Sequence, residues 1–178
     1  MSDRVLLEDT RNPVQKHKNI HRWAEANGVK IIRSKLLVGD YTLPRAMAVC
    51  VDTKASLQEV YSNLVQDHER FRAECELAQD AGIRLVILVE GEAWAHSVDD
   101  VARWRNKRRE DWFRLHAAHQ AGRLLKLRIP KAPPIDSERL AQMMRTMAER
   151  HGCEWKFCGK DDTGSVIWEL LNQTGVYS

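Results

Sequence analysis

Two carboxylates and one lysine, Asp40, Asp52 and Lys54, lie close together in the segment 37–54. Asp40 is the centre of a Gly-Asp-Tyr turn, and Asp52 and Lys54 come at the end of the apolar run 48–51. Because successive side chains of a strand alternate between its faces, we expect Asp52 and Lys54 to point the same way and Thr53 to point away. Asp40 reaches the same edge if two short strands pair through a turn at 43–46.

Two carboxylates beside a lysine suit the hydrolysis of a phosphodiester bond. Carboxylate oxygens are ligands that Mg2+ prefers, and the lysine is left to orient or deprotonate a water molecule. The same residues also have an ordinary structural interpretation, since Gly-Asp-Tyr is a common turn and Asp-Thr-Lys a common polar strand end. The position of the triplet at the end of an apolar strand favours the catalytic hypothesis.

The composition is typical of one folded domain. The chain has 178 residues, of which 43% are hydrophobic and 30% charged, and this length is enough to bury a sizeable core. Its apolar runs are too short to cross a bilayer, and we expect no leader segment and no membrane partner. The four cysteines form no CxxC pair, so we expect free, mostly buried thiols and a reducing, cytoplasmic location.

The order of predicted elements favours an α/β fold with helices on both sides of a central sheet. We treat residues 1–178 as a single domain, with 91–135 as a basic and aromatic insertion. Residues 98–120 are mostly helical in pattern, and a methionine-rich stripe in 136–151 indicates core packing. The predicted strands are 4–8, 29–34, 47–54, 83–90 and 153–158, and the predicted helices are 14–27, 56–81, 136–151 and 161–171.

The insertion contains a run of cations around an aromatic residue, Arg103, Trp104, Arg105, Lys107 and Arg108. Cations interleaved with aromatic residues provide phosphate contacts and a stacking surface for unpaired bases. An amphipathic helix with Trp104 and Trp112 in the core and the cations in solvent is an equally good interpretation of this run.

The motifs in this order resemble the nuclease domain of the XPF-type structure-specific endonucleases. That group belongs to the PD-(D/E)XK superfamily, whose restriction-endonuclease-like fold is a mixed central sheet flanked by helices. The chain is also similar to small stand-alone members encoded by phages and prophages. The resemblance covers roughly the first half of the chain and rests on the segments 9–12, 39–41, 52–54, 56–59 and 70–74.

The resemblance implies a Mg2+- or Mn2+-dependent endodeoxyribonuclease that acts on branched or flapped DNA in repair or recombination. By the same resemblance, Asp40, Asp52 and Lys54 are catalytic, and the metal ligands are Asp40, Asp52 and Asp9. Because adjacent strand residues face opposite ways, only one of Glu8 and Asp9 is expected to point inward. The residues implied to bind phosphate are Arg11 and Arg70, and those implied to support the site are Glu74 and Tyr41.

Four positions depart from the family pattern: Asn12, Asp52, Thr53 and Gln58 stand where Glu, Glu, Arg and Asp are usual. These departures leave open an alternative, a catalytically inactive nuclease-fold module that binds DNA or a protein partner. The relatives also imply a homodimer and a separate protein that targets the domain to DNA. His17 and His21 are four residues apart, but without a third ligand nearby we expect no zinc site there.

Overall fold

A single sheet of six strands forms the centre of the computed structural model, which describes residues 4–13, 16–123 and 128–173. The strand order is β2-β1-β3-β4-β5-β6. β1 pairs in parallel with β2, the pairs β1–β3 and β3–β4 are antiparallel, and β4, β5 and β6 are parallel. The strands are β1 (Val5–Asp9), β2 (Lys30–Ser34), β3 (Tyr41–Leu43), β4 (Ala46–Lys54), β5 (Arg84–Val89) and β6 (Glu154–Phe157).

Helices cover both faces of the sheet. α2 begins after Ser56, whose side chain accepts a hydrogen bond from the Glu59 backbone N–H, and α5 begins after Asp136, which accepts one from Arg139. Such side-chain caps satisfy N–H groups that have no partner inside the helix. The helices are α1 (Lys18–Ala26), α2 (Leu57–Val65), α3 (His68–Asp80), α4 (Lys107–Gln120), α5 (Ser137–His151) and α6 (Thr163–Asn172), with a 3-10 helix at Val98–Arg103.

Three predicted helices differ from the observed ones. The helix predicted over 56–81 is two helices, because a break after Val65 lets α2 pack on β4 and α3 pack on β5. The helix predicted over 14–27 begins at Lys18, and residues 14–15 lie outside the described part of the chain. The segment 98–120 divides into the 3-10 helix and α4, with Asn106 capping the N-terminus of α4 through its side chain. The strand bounds differ from the predicted ones by about a residue at each end.

The core lies in two layers, one on each face of the sheet. Side chains of β5 alternate between them: Leu85 and Ile87 pack with α2, α3 and α5, whereas Val86 and Leu88 pack with α1 and α6. This alternation is the strand period of two, and it explains why β5 is a continuous apolar run, since both faces of the strand are covered. At about 25 cal/mol per Å² of buried apolar surface, these two layers are the main source of stability.

Close approach of two helices fixes the second layer. A Cβ built on Gly164 of α6 would lie 2.6 Å from Trp23 Cγ of α1, so only glycine lets these helices pack at this distance. All four cysteines are buried and unbridged, as predicted. Among residues 4–13, 16–123 and 128–173, no helix has both the length and the apolar character needed to cross a membrane.

Candidate active site

The edge of the sheet formed by β1, β3 and β4 opens into a cleft of about 500 Å³. β1 and β4 both pair antiparallel with β3 and therefore run in the same direction, so their carboxyl ends lie at one edge of the sheet. α2 and α3 form the other wall. The residues singled out from the sequence that line the cleft include Asp9, Arg11, Asn12, Asp40, Asp52, Thr53, Lys54, Arg70 and Glu74.

The strand pairing explains why residues distant in sequence meet here. Asp9 ends β1 and its backbone N–H donates to the Asp40 carbonyl at 2.8 Å. The Asp40 N–H in turn donates to the Val51 carbonyl of β4 at 2.8 Å. The turn at 43–46 does pair the two short strands, with Leu43 opposite Ala46, so the proposed route by which Asp40 reaches Asp52 is confirmed.

Asp40 is held by two of the residues that depart from the family pattern. Its Oδ1 accepts a hydrogen bond from Asn12 Nδ2 at 2.9 Å, and its Oδ2 accepts one from the Thr53 N–H at 2.9 Å and another from the Thr53 hydroxyl. Thr53 pairs with Leu88 of the layer under α1 and α6, whereas Asp52 pairs with Ile87 of the other layer, so Thr53 points away from Asp52 and Lys54 as expected. The Asp40 carboxylate extends along the end of β4 and meets both the backbone and the hydroxyl of Thr53.

Asp52 and Lys54 form a buried ion pair, with Asp52 Oδ2 2.5 Å from Lys54 Nζ. The contact confirms that their side chains share one face of β4. Burial raises the pKa of Asp52, the negative charges of Asp40 and Glu74 raise it further, and Lys54 only partly opposes them. Burial alone would lower the pKa of Lys54, but Asp52 and its acidic neighbours outweigh burial and raise it, so Lys54 is a cation at neutral pH.

Asp9 faces the cleft, and its carboxylate is already occupied by four N–H donors. It accepts hydrogen bonds from the Arg11 N–H, Nε and Nη2 at 2.6, 2.8 and 2.9 Å, and from the Leu36 N–H at 2.8 Å. Burial would raise the pKa of Asp9, but these hydrogen bonds outweigh it and lower the pKa. In this structure Asp9 orients Arg11, and its role as a metal ligand stays a prediction.

Glu74 supports the turn that carries Asp40. Its Oε1 accepts a hydrogen bond from the Gly39 N–H at 3.1 Å. Gly39 has a φ of 69°, and a Cβ built there would lie 3.1 Å from the Val51 carbonyl oxygen. Both features require glycine, so the Gly-Asp-Tyr turn is fixed from α3 on one side and from β4 on the other.

A buried polar network lies behind the cleft and was not predicted from the sequence. Glu8 is fully buried; its carboxylate accepts a hydrogen bond from the Tyr41 hydroxyl at 3.2 Å and lies 2.9 Å from His21 Nε2. His17 Nδ1 is in contact with the same hydroxyl. The network anchors Tyr41, the neighbour of Asp40, on the face opposite Asp9. The four-residue spacing of His17 and His21 was the signal in the sequence that could have indicated this network. His21 contacts the Glu8 carboxylate, and His17 contacts the Tyr41 hydroxyl.

The predicted DNA-binding cations Arg103, Arg105, Lys107 and Arg108 do not line the cleft. Arg103 pairs with Asp100, and Arg105 pairs with Glu110 at 2.8 Å, whereas Lys107 and Arg108 lie in the first turn of α4. Trp104 packs partly buried at the margin of a core layer, and Trp112 donates from Nε1 to the Pro130 carbonyl at 2.8 Å. Their contacts with DNA stay a prediction.

The donor set of the cleft fits a hard divalent cation. Two carboxylates, Asp40 and Asp52, face the same space, and the Lys54 ammonium offsets part of their negative charge from 2.5 Å. Mg2+ takes one or two carboxylates and keeps several waters, so two ligands are enough. Among the residues that the structure describes, no three His, Cys, Asp or Glu side chains converge as a complete protein cage for a metal.

The sequence matches the ERCC4 domain over residues 9–170. The chain belongs to the ERCC4 domain family. This match covers nearly the whole chain and confirms the resemblance read from the motifs of the first half. No curated protein sequence matches the chain.

Two solved structures share the fold of this ERCC4 domain. XPF from Aeropyrum pernix aligns with a TM-score of 0.59 and 17% identity over 94% of this chain and 63% of that chain. XPF from Aeropyrum pernix in complex with DNA aligns with a TM-score of 0.55 and 18% identity over 94% and 62%. The likeness confirms the predicted fold class, and the chain spans less than two thirds of the length of those solved chains.

Proposed function

We propose that this ERCC4 domain is a divalent-metal-dependent DNA endonuclease that hydrolyses phosphodiester bonds in branched or flapped DNA. The observation that carries the proposal is the buried Asp52–Lys54 pair beside Asp40, in a cleft that Arg11 and Arg70 also line. Burying two acids and a lysine costs free energy that apolar residues would not cost, and placing that cost at an open cleft favours a functional role over a structural one.

Asp40 and Asp52 would hold the Mg2+ or Mn2+ ion. When bound, such an ion supplies positive charge against the phosphate and increases the acidity of water. Lys54 Nζ donates a hydrogen bond that orients the attacking water or stabilises charge on the phosphate oxygens. Its cationic state suits donation, and the Phe71 ring 5.6 Å from Nζ limits the positions it occupies.

The two arginines would hold the phosphate at this edge of the sheet. Arg11 keeps its Nε and Nη2 on Asp9 while its side chain remains 56% exposed. Arg70 lines the cleft from α3 and is exposed. Arg11 Nη2 also donates to the Leu36 carbonyl, so its Nη1 is the group left for a phosphate oxygen, whereas Arg70 would bind with two parallel hydrogen bonds. Together the two arginines would hold a backbone phosphate beside Asp52 and Lys54.

The alternative function is a nuclease-fold module that binds DNA or a protein partner and has lost catalysis. The observation in its favour is the occupation of Asp9 by Arg11 and Leu36, together with the bonds from Asn12 and Thr53 to Asp40. The two functions differ in one respect that can be measured, since only the nuclease needs Lys54 for its activity.

The test is cleavage of a panel of flap, fork, four-way junction, single-stranded and duplex DNA with Mg2+ or Mn2+ and with EDTA. We expect metal-dependent cutting of the branched forms, reduced by about 10³-fold or more in Asp52→Asn and Lys54→Ala. Binding to DNA in EDTA is the control for folding. Intact binding with no cutting by the wild type would support the inactive module, and cutting of linear duplex alone would refute the branched substrate.

From the family resemblance we also propose that the protein is a homodimer, that a separate protein targets it to DNA, and that it is encoded by a phage or prophage. Sedimentation velocity at micromolar concentration tests the dimer, and a strict monomer across that range would refute it. The proposed role in DNA repair or recombination depends on cleavage of branched DNA, so the same substrate panel tests it.

A further inference from the structure

A second cavity, of about 380 Å³, lies on the far side of α3 from the cleft. α3 forms the wall between the two: Arg70 and Glu74 line the cleft, whereas His68 and Arg72 line the second cavity. We call this cavity the α3–α5 groove. Its cationic residues are Arg72, Arg139 and Arg150, accompanied by His68 and His151.

The sequence of α5 concentrates cations on the groove side. Arg139 and Arg150 are eleven positions apart, three helical turns, and therefore share one face. The acids of the same helix, Glu138 and Glu149, do not line the groove, and Arg145 turns instead to Asp99 at 3.0 Å.

One acid borders the groove. Glu76 of α3 lies 3.5 Å from Arg72 Nε and 3.3 Å from His151 Nδ1, and it offsets part of the charge. Three guanidinium groups against this single carboxylate leave an excess of positive charge along the groove. Arginine is the cation best suited to phosphate, because its planar fork matches two phosphate oxygens.

The apolar residues of the groove are Leu64, Met143 and Met147. Leu64 and Met147 are only 1% and 2% exposed, and Met143 is partly buried against the core. An amphipathic helix of a protein partner would need accessible apolar area here, whereas a polyanion needs the charges that are accessible. The charge and the mostly buried apolar residues therefore favour a nucleic-acid strand as the occupant.

We propose that the α3–α5 groove binds backbone phosphates of the DNA strand that passes through the cleft. The inference rests on the proposed nuclease function and names a second contact for its substrate. A helix with its side chains is about 10–12 Å across, so a duplex lying across α3 would reach the groove about three base pairs from the cleft at an axial rise of about 3.4 Å per base pair.

The test compares Arg139→Gln, Arg150→Gln and the double variant with Arg145→Gln, a matched change on another face of α5. Affinity for a fluorescently labelled flap DNA is measured in EDTA over a series of salt concentrations. We expect each single groove variant to weaken binding about fivefold and to reduce the salt slope by about one, the double variant to reduce the slope by about two, and Arg145→Gln to change neither. Single-turnover cleavage with Mg2+ at saturating DNA should stay at the wild-type rate.

Affinities of the groove variants equal to that of Arg145→Gln would overturn the proposal, even if the wild type cuts DNA. Unchanged DNA affinity together with a changed sedimentation coefficient in the double variant would also overturn it and assign the groove to a protein contact. If the wild type binds DNA but cuts none of the panel, the nuclease proposal fails while the salt slopes still decide the groove.

Discussion

The cleft and helix α4 are both rich in charged residues, but the charges of Asp40, Asp52 and Lys54 in the cleft are buried and those of α4 are exposed or partly exposed. In the cleft, Asp40 and Asp52 are nine-tenths or more buried, and each is held by a partner from β4. In α4, all of which the structure describes, no residue is buried, and Phe113 is 50% exposed. Buried charges need fixed partners, whereas exposed charges need none, so only the cleft has its geometry specified.

This difference bears on function. A catalytic group must keep its position within a fraction of an ångström, and a buried network provides that order. A helix with exposed cations provides long-range attraction for a polyanion without a fixed geometry. We therefore expect changes in the cleft to affect catalysis and changes in α4 to affect only DNA binding.

The largest effect is expected for Asp40→Asn. An amide has one acceptor oxygen where the carboxylate has two, so it cannot accept hydrogen bonds from both Asn12 and Thr53 on opposite sides. It also lacks the negative charge that favours a divalent cation. We expect the single-turnover cleavage rate to fall about 10³-fold and calorimetric Mn2+ binding to weaken. Asp80→Asn, at the far end of α3, is the control. Retention of metal-dependent cleavage in Asp40→Asn would contradict the ligand role.

Tyr41→Phe tests whether the network behind the cleft stabilises it. The change leaves the buried Glu8 carboxylate without the hydroxyl that donates to it at 3.2 Å. Loss of a donor to a buried group costs about 1–3 kcal/mol of unfolding free energy, measured by urea denaturation. Tyr61→Phe, in the core layer on the other face of the sheet, is the comparison, and equal costs for the two variants would show that the network adds nothing.

The double variant Lys107→Gln and Arg108→Gln tests the other half of the comparison. If α4 contacts phosphates, we expect affinity for flap DNA to fall about tenfold and the salt slope to drop by about two. The single-turnover cleavage rate at saturating DNA should not change. Arg22→Gln with Lys30→Gln removes the same charge from exposed positions outside the cleft. A slower chemical step in the α4 variant would place α4 in the active site.

The smallest effect is expected for an ion pair away from both regions. Glu154 of β6 accepts hydrogen bonds from Arg84 Nε and Nη2 of β5 at 2.6 and 2.7 Å, and the Arg84 contact lowers the pKa of Glu154 below its ordinary 4.5. The folded state thus favours the ionised form. Its contribution is present above pH 4.5 and is lost as the pH falls through the lowered pKa.

We expect Glu154→Gln to remove about 0.5 kcal/mol of this pH-dependent stability, a discounted value because the Glu154 side chain is 35% exposed. Thermal unfolding of the variant and the wild type from pH 3 to 7 measures it. The two midpoints should converge at the acidic end and separate above pH 4.5. A constant separation across the series would rule out the assigned titration.

Much of the fold could be predicted because its signals are local. The run 83–90 predicted β5, and the segments 56–81 and 136–151 predicted the start of α2 and both ends of α5 to within about a residue. The break between α2 and α3 was not predicted, because it depends on which strand each half packs against. Helix α1 (Lys18–Ala26) is likewise shorter than the predicted helix over 14–27.

The site was predicted as a set of residues but not as a set of contacts. The order of motifs identified Asp9, Asp40, Asp52 and Lys54, and the structure brings these residues into one cleft. The bonds from Asn12 and Thr53 to Asp40 were not predicted, because these two residues register in the sequence only as departures from a pattern. Glu8 was considered only as a substitute for Asp9, and its hydrogen bond with Tyr41 could not be inferred from the sequence.

The sequence by itself determined the predicted strands, the Gly-Asp-Tyr turn and the shared face of Asp52 and Lys54, since each follows from neighbours along the chain and the period of a strand. Only the tertiary structure decided that Leu36 donates to Asp9, that Asn12 and Thr53 hold Asp40, and that α3 separates the cleft from a basic groove. These contacts join segments far apart in sequence, and the packing of helices on both faces of the sheet selects them.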